Sequence, residues 1–411
     1  MTPSRRDVWR DRAAAVLPGG SSTGSRRPDA LYGYFARDPL VPTHFVRAEG
    51  CAVWDTAGRR FTDCGMALGA VGFGYADPEV TEAVVQAARD GNVSALPHRL
   101  EVEAAEQLVS LIPCAEQVRF LRTGAEANAA AIRIARTLTG RTRIVASGYF
   151  GWLDWCSDAA GVPGSVQDDV TWVPFNDVAA LETAVADGPP PAAIMIEPLV
   201  HDLADAAWLL AARRLADTHG AVLIFDEVKT AFRVRTGGVQ ALTGILPDLT
   251  TLGKAMANGY PLAAVVGRVA SMDAARRTWI SSTAATESTG LAAACAVMAR
   301  HQREDVCRGM AAAGARLRGI VQTALDRVPQ LGVRAEGPDV MWRLVAEHDG
   351  ALDRVVAVSA HAGLLLKRGA YQFGALAHDD AACADVERAL ETAVDVLHLG
   401  AMLPTSGMSH D

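Results

Sequence analysis

Between about residues 100 and 270 the chain alternates two apolar patterns. Short runs that are apolar almost throughout, "QVRFL", "RIVAS", "VTWVPF", "AAIMIEP", "AVLIFDE" and "LAAVVG", are set apart by segments with helical spacing, among them "LEVEAAEQLVSLI" and "AEANAAAIRIARTL". Strands apolar on both faces and separated by helices predict a mostly parallel sheet buried between helical layers, an α/β architecture. The flanks read differently. A helix over residues 7–16 is stopped by the breaker-rich "LPGGSSTGSRRP", and "GCAVWDTAGRRFTDC" alternates around Ala57 and Gly58 as a hairpin does. Asp77 and Pro78 are the N-cap and first position of a further helix. Beyond residue 290 two helical stretches lead to short strands near "VMWRLVAE" and "GLLLK" and a last helix over 382–397. The pattern predicts an N-terminal segment (1–60), a large α/β domain (61–300) and a small C-terminal α+β domain (301–411).

Composition narrows the class. Half of the 411 residues are apolar and 21% are charged, the balance of a soluble globular chain. A formal charge of −8 argues against a nucleic-acid partner, which requires a basic face. The N-terminus is charged and no apolar run reaches spanning length, so neither a signal peptide nor a membrane segment is expected, and the cytoplasm is the expected location. Seven cysteines without a CxxC suggest neither a disulfide framework nor a zinc knuckle.

Four places carry candidate chemistry. In "RTGAEANAAAIRIAR" a glycine turn feeds a helix, whose open N–H groups suit phosphate. In "VLIFDEVKTAFR" an apolar strand delivers Asp226 and Glu227 to its carboxyl end, where open α/β sheets bind ligands. Lys254, in "TLGKAMANGYP", is able to form an imine if burial lowers its pKa. Tyr149, in "GYFGWLDW", follows a strand and is able to lie on a planar ring. Each has an ordinary reading alone: helix cap, loop cap, solvated charge, core aromatic. Together they are the parts of a pyridoxal phosphate site, in which a carboxylate keeps the pyridine nitrogen protonated and the ring stabilises a carbanion.

The sequence resembles the class III (omega-type) pyridoxal-phosphate aminotransferases, nearest their glutamate-1-semialdehyde aminomutase-like branch. "LPGG", "VWDTAGRRFTD", "GYADPEV", "RFLRTGAEANAAAIRIAR", "YFGWLDW", "LIFDEVKTAFR" and "PDLTTLGKAMANGYPLAAVVG" occur in family order over residues 17 to about 268. The resemblance implies fold type I and a pyridoxal 5'-phosphate cofactor. It implies that Lys254 holds the cofactor covalently, that Asp226 pairs with the ring nitrogen, and that Val228 and Tyr149 flank the ring. Gly124 and Ala125 would bind the phosphate, and Glu197 would stand at a strand end near the cofactor. Thr283 would reach the phosphate of a neighbouring subunit, which implies a homodimer with shared sites. Arg26 matches an arginine for a substrate carboxylate, with Arg27, Lys367 and Arg368 as competing candidates.

The departures matter too. The family's Ser-Gly-Thr is Thr123-Gly124-Ala125, one phosphate hydroxyl short, and its Tyr-His-Gly is Tyr149-Phe150-Gly151. The gating segment of the aminomutases is cut to "CSDAAGVPGSV". A shortened lid favours amino transfer between small-molecule donor and carbonyl acceptor over an intramolecular aminomutase. The donor expected is one such as L-glutamate and the acceptor an aldehyde or keto compound, either an oxidised sugar or aminoglycoside or an amino or keto acid, in a biosynthetic pathway. Retention of both Lys254 and Asp226 speaks against a silent binding relative.

Overall fold

The computed structural model describes residues 5–401. The chain divides into two compact units, one of Met1–Asp77 with Gly309–Asp411 and one of Pro78–Arg308.

The first unit is assembled from both ends of the sequence. The strands β1 (Phe45–Glu49), β2 (Ala52–Asp55) and β3 (Arg60–Asp63) form an antiparallel meander, with the expected turn at Gly58. After β3 the backbone takes a left-handed turn through Met66, Ala67, Leu68 and Gly69, with φ of 40°, 50°, 59° and 79°. Such a conformation costs non-glycine residues roughly 1–2 kcal/mol each, so the turn has to be held from outside. Gly65 N–H donates to Asp63, whose other oxygen accepts the Tyr75 hydroxyl at 2.6 Å.

The second unit carries the large sheet. Its strands are β4 (Gln117–Leu121), β5 (Ile144–Ser147), β6 (Val170–Trp172), β7 (Ala193–Ile196), β8 (Val222–Asp226), β9 (Leu249–Leu252) and β10 (Ala263–Gly267). Their spatial order is β4-β10-β9-β8-β7-β5-β6. All pairs are parallel except those of β10, which runs antiparallel to both β4 and β9. The mostly parallel α/β sheet read from the apolar runs is therefore present, with β9 added and β10 reversed. Alternate residues serve opposite faces. Met195 and Ile224 pack with Ala127, Ala131 and Ile134 of the helix Gly124–Thr139, whereas Ile194, Ile196, Leu223 and Phe225 pack with Trp208 and Leu209 of the helix Ala206–His219. This two-sided burial is why these strands show no polar alternation.

The remainder of the chain returns to the first unit. There β11 (Val333–Glu336), β12 (Trp342–Ala346) and β14 (Tyr371–Gln372) form a second small sheet, and β13 (Leu364–Leu365) pairs in parallel with β3. No helix among the described residues is long and apolar enough to cross a membrane.

Candidate active site

The parallel strands β5, β7, β8 and β9 end along one edge of the sheet, so the residues just beyond them converge. These are Tyr149, Glu197, Asp226 and Lys254.

Asp226, the last residue of β8, is 5% exposed. Asn128 Nδ2 donates to one of its oxygens at 2.8 Å and Val228 N–H to the other at 2.9 Å. Burial raises its pKa and the Glu197 carboxylate adds to that; the two donors and Lys254 work the other way. Lys254 opens a short 3-10 turn after β9 with φ of 49°, an uncommon left-handed conformation for a side-chain-bearing residue. Desolvation lowers its pKa, opposed by Asp226 and reinforced by Lys229.

Val228 lies between two glycines. A Cβ on Gly124 would stand 2.8 Å from Val228 Cγ1, and one on Gly253 would stand 3.3 Å from the same atom. The start of the helix Gly124–Thr139 therefore comes within backbone reach of the β8 loop. That start is held by a capping box: Thr123 Oγ1 accepts from Glu126 N–H, and Glu126 Oε2 accepts from Thr123 N–H. The N–H groups of Gly124 and Ala125 have no hydrogen-bond partner among the described residues. Ala125 is tightly flanked, since a Cβ on Gly151 would meet its Cβ at 2.6 Å.

Glu227 has a different part from its neighbour. Its carboxylate faces away from the edge and accepts from Val239 N–H at 2.8 Å, Gln240 N–H at 3.0 Å and the Thr230 hydroxyl. It folds the loop 228–240 and adds no reactive group to the edge. Phe150 is 2% exposed and stacks between Trp155 and Trp172 at 5.7 and 6.0 Å, so the position where the family has histidine is core here.

Of the expected residues, Gly124, Ala125, Asp226, Val228 and Lys254 come together, with Glu197 joined to Tyr149 by a 3.1 Å hydrogen bond from the Tyr149 N–H. The Tyr149 ring is 73% exposed. Thr283 is exposed, in the segment that precedes the helix Ser288–Arg303. Arg26 belongs to the first unit, in the 3-10 turn Gly24–Arg26. Of its competitors there, Lys367 Nζ donates to Ser25 O at 2.7 Å and Arg368 pairs with Asp353, whereas Arg27 Nε is buried near Gly19 with no hydrogen-bond partner among the described residues. Arg26 is exposed, and its charge acts on the Tyr75 hydroxyl.

Two residues were missed. Asn128 is the one polar side chain among Ala127, Ala130, Ala131 and Ile134 on the buried face of its helix, and that break in the face was its signal. Lys229, in the buried β8 turn, pairs with Glu197 at 2.5 Å.

Residues 34–372 match the class-III aminotransferase family. The chain belongs to that family. The family is one of pyridoxal 5'-phosphate-dependent enzymes, and the chain has its fold type I architecture. The structure is similar to the PLP internal aldimine form of the FumI protein of Sphingopyxis sp. MTA144, with a TM-score of 0.90 and 27% identity over 97% of this chain and 98% of that one. In sequence it is 34% identical over 326 residues to a 3-aminobutyryl-CoA aminotransferase of Cloacimonas acidaminovorans, covering 77% of each. It is 40% identical over 283 residues to a glutamate-1-semialdehyde 2,1-aminomutase of Symbiobacterium thermophilum, a match spanning 64% of this chain and 64% of the aminomutase.

Proposed function

We propose that this class-III enzyme is an aminotransferase that takes an amino group from a donor such as L-glutamate and passes it to an aldehyde or keto acceptor in biosynthesis. The observation that carries this reading is the convergence of Lys254 and Asp226 on adjacent strand ends around Val228, beside two open N–H donors.

These residues fit the cofactor. Gly124 and Ala125 would hold its phosphate on open donors, and Val228, seated on Gly124 and Gly253, would support one ring face with Tyr149 on the other. Asp226 would pair with the ring nitrogen and Lys254 would hold the cofactor covalently. Bound there, pyridoxal phosphate supplies the electron sink for the carbanion left when a substrate carbon loses its proton. Desolvation brings the neutral Lys254 amine within reach at a lower pH than for an exposed lysine, as a nucleophile and as the base that takes and returns that proton. Asn128 and the Val228 N–H favour the ionised Asp226 and fix its plane. Ala125 offers no hydroxyl, so phosphate retention should be weaker than with a threonine there.

Arg26 remains the candidate for pairing with a substrate carboxylate, to which a guanidinium binds in a bidentate way. Thr283 would reach the phosphate site of a second copy in a homodimer. In support, Leu96, 77% exposed, shares a hollow with Thr283, and Trp279, 81% exposed, shares one with Thr286. Both are apolar groups that a second copy would cover.

The aminomutase reading stands second, favoured by the 40% identity to a relative of that name. Against it, residues 156–166 are short and largely exposed, a poor lid for retaining an intermediate. The test is the absorbance spectrum of the purified protein before and after excess L-glutamate without acceptor. Conversion of the lysine-bound cofactor band to the amine-form band is expected. An unchanged band with glutamate, together with turnover of an amino aldehyde alone, would favour the aminomutase.

A further inference from the structure

The edge of the sheet holds a second lysine that the proposed chemistry does not use. Lys229 lies in the turn after β8, three residues beyond Asp226, and its side chain is 9% exposed. Its Nζ pairs at 2.5 Å with Glu197 Oε1, on a side chain itself 8% exposed. The other oxygen of Glu197 accepts the Tyr149 N–H at 3.1 Å. Gly148 makes this possible: its φ is 136°, and a Cβ there would come within 2.4 Å of Glu197 Cβ. Glu197 is therefore a bridge between the loops that follow β5 and β8, and Lys229 holds one end of it.

The same pair sets a charge balance. Glu197 and Asp226 are two carboxylates, Lys229 and Lys254 two ammonium groups, all at one desolvated edge. Arg233 and Cys156 also act there. Without Lys229, Glu197 would be a buried carboxylate lacking its closest countercharge, beside the carboxylate that has to stay ionised.

We propose that Lys229 is a positioning residue: through Glu197 it fixes the Tyr149 backbone, and its charge balances that carboxylate beside Asp226 and Lys254. This rests on the strand-end site proposed above. A requirement for a lysine here is specific, since an uncharged side chain of the same length would fill the space and leave Glu197 uncompensated.

The test compares wild type with Lys229→Met, Lys229→Arg and the double variant Lys229→Met/Glu197→Gln. In cofactor-free protein, hydrogen exchange at the Tyr149 amide is expected to rise about tenfold in Lys229→Met, the scale of a weakened hydrogen bond to a charged group, with β8 and β9 unchanged. In the loaded enzyme the acid limb of kcat/KM is expected to move up by about one pH unit in Lys229→Met. Lys229→Arg should restore much of both effects, and the double variant, having lost both charges, should return the acid limb towards wild type. Unchanged exchange at Tyr149 with an unmoved limb would overturn the proposal, as would loosening spread over β8 and β9. Failure of the underlying site reading is separately visible: a lysine-bound cofactor band persisting in Lys254→Ala would refute that reading while leaving the exchange result as it stands.

Discussion

Lys254 combines three conditions that a solvated lysine lacks. Its backbone is held left-handed, its amine is desolvated, and Asp226 is close enough for each charge to act on the other. Lys254→Ala is expected to remove the lysine-bound cofactor band and to lower turnover at least about a hundredfold, the usual contribution of a positioned proton carrier. Spectrum and single-turnover kinetics check this together. The raised pKa of Asp226 gives a sign for pH dependence. The useful ionised form is lost as pH falls through a value above the ordinary carboxylate range near 4, so the acid limb of kcat/KM should lie higher than that. An Asp226→Asn variant should lose most activity and show no such limb. Gly124 is testable by shape alone. Gly124→Ala places a methyl 2.8 Å from Val228 Cγ1, and a loss of about 1–3 kcal/mol is expected with weaker cofactor retention. Recovery on adding Val228→Ala, measured by denaturant midpoint and cofactor titration, would tie the loss to that overlap.

At the scale of elements, the left-handed turn Met66–Gly69 stores strain that its surroundings hold in place. Gly69 is its last member, with φ of 79°, and a Cβ there would lie 2.7 Å from the Phe373 ring. Gly69→Ala is expected to cost about 1–3 kcal/mol, read as a lower denaturant midpoint with an unchanged slope. The elements also show what a sequence discloses. The strands β5, β7 and β8 were legible because burial on both faces leaves a bare apolar run. β9 was not, because Thr250 and Thr251 are buried polar residues that interrupt such a run while Gln240 and Cys114 satisfy Thr250. The two-residue strands β13 and β14 exist through pairing with segments distant in sequence, and no local pattern announces them. Lys254 and Asp226 were legible because their chemistry has a known order along the chain. Lys229 was not, because a lysine in a turn ordinarily reads as solvent-facing until its partner 32 positions earlier is seen.

At the scale of the molecule, the first unit is joined from residues far apart. Lys367 Nζ donates to Ser25 O, Asp353 accepts from Tyr34 N–H at 2.8 Å, and β13 lies along β3. Lys367 is 8% exposed, and burial, aided by Arg368, lowers its pKa to about 8. Between that value and 10.5 an unfolded lysine keeps the proton that the folded one has released, so stability contributed at this site rises with pH across that window. Denaturant midpoints of wild type and Lys367→Met should diverge in favour of wild type between pH 7.5 and pH 10; an equal gap at both would refute it. The split composition of this unit also bears on how the chain is made. Translation delivers Met1–Asp77 before the entire second unit, and only afterwards the stretch from Gly309 that completes the first. At ~5–20 residues per second the meander β1–β3 waits about 10–50 s for its missing neighbours. The sheet unit, contiguous in sequence, is free to fold during that interval. The waiting segment, with Phe45 and Val46 at 66% and 65% exposure even when folded, offers apolar surface for a chaperone to cover in that interval.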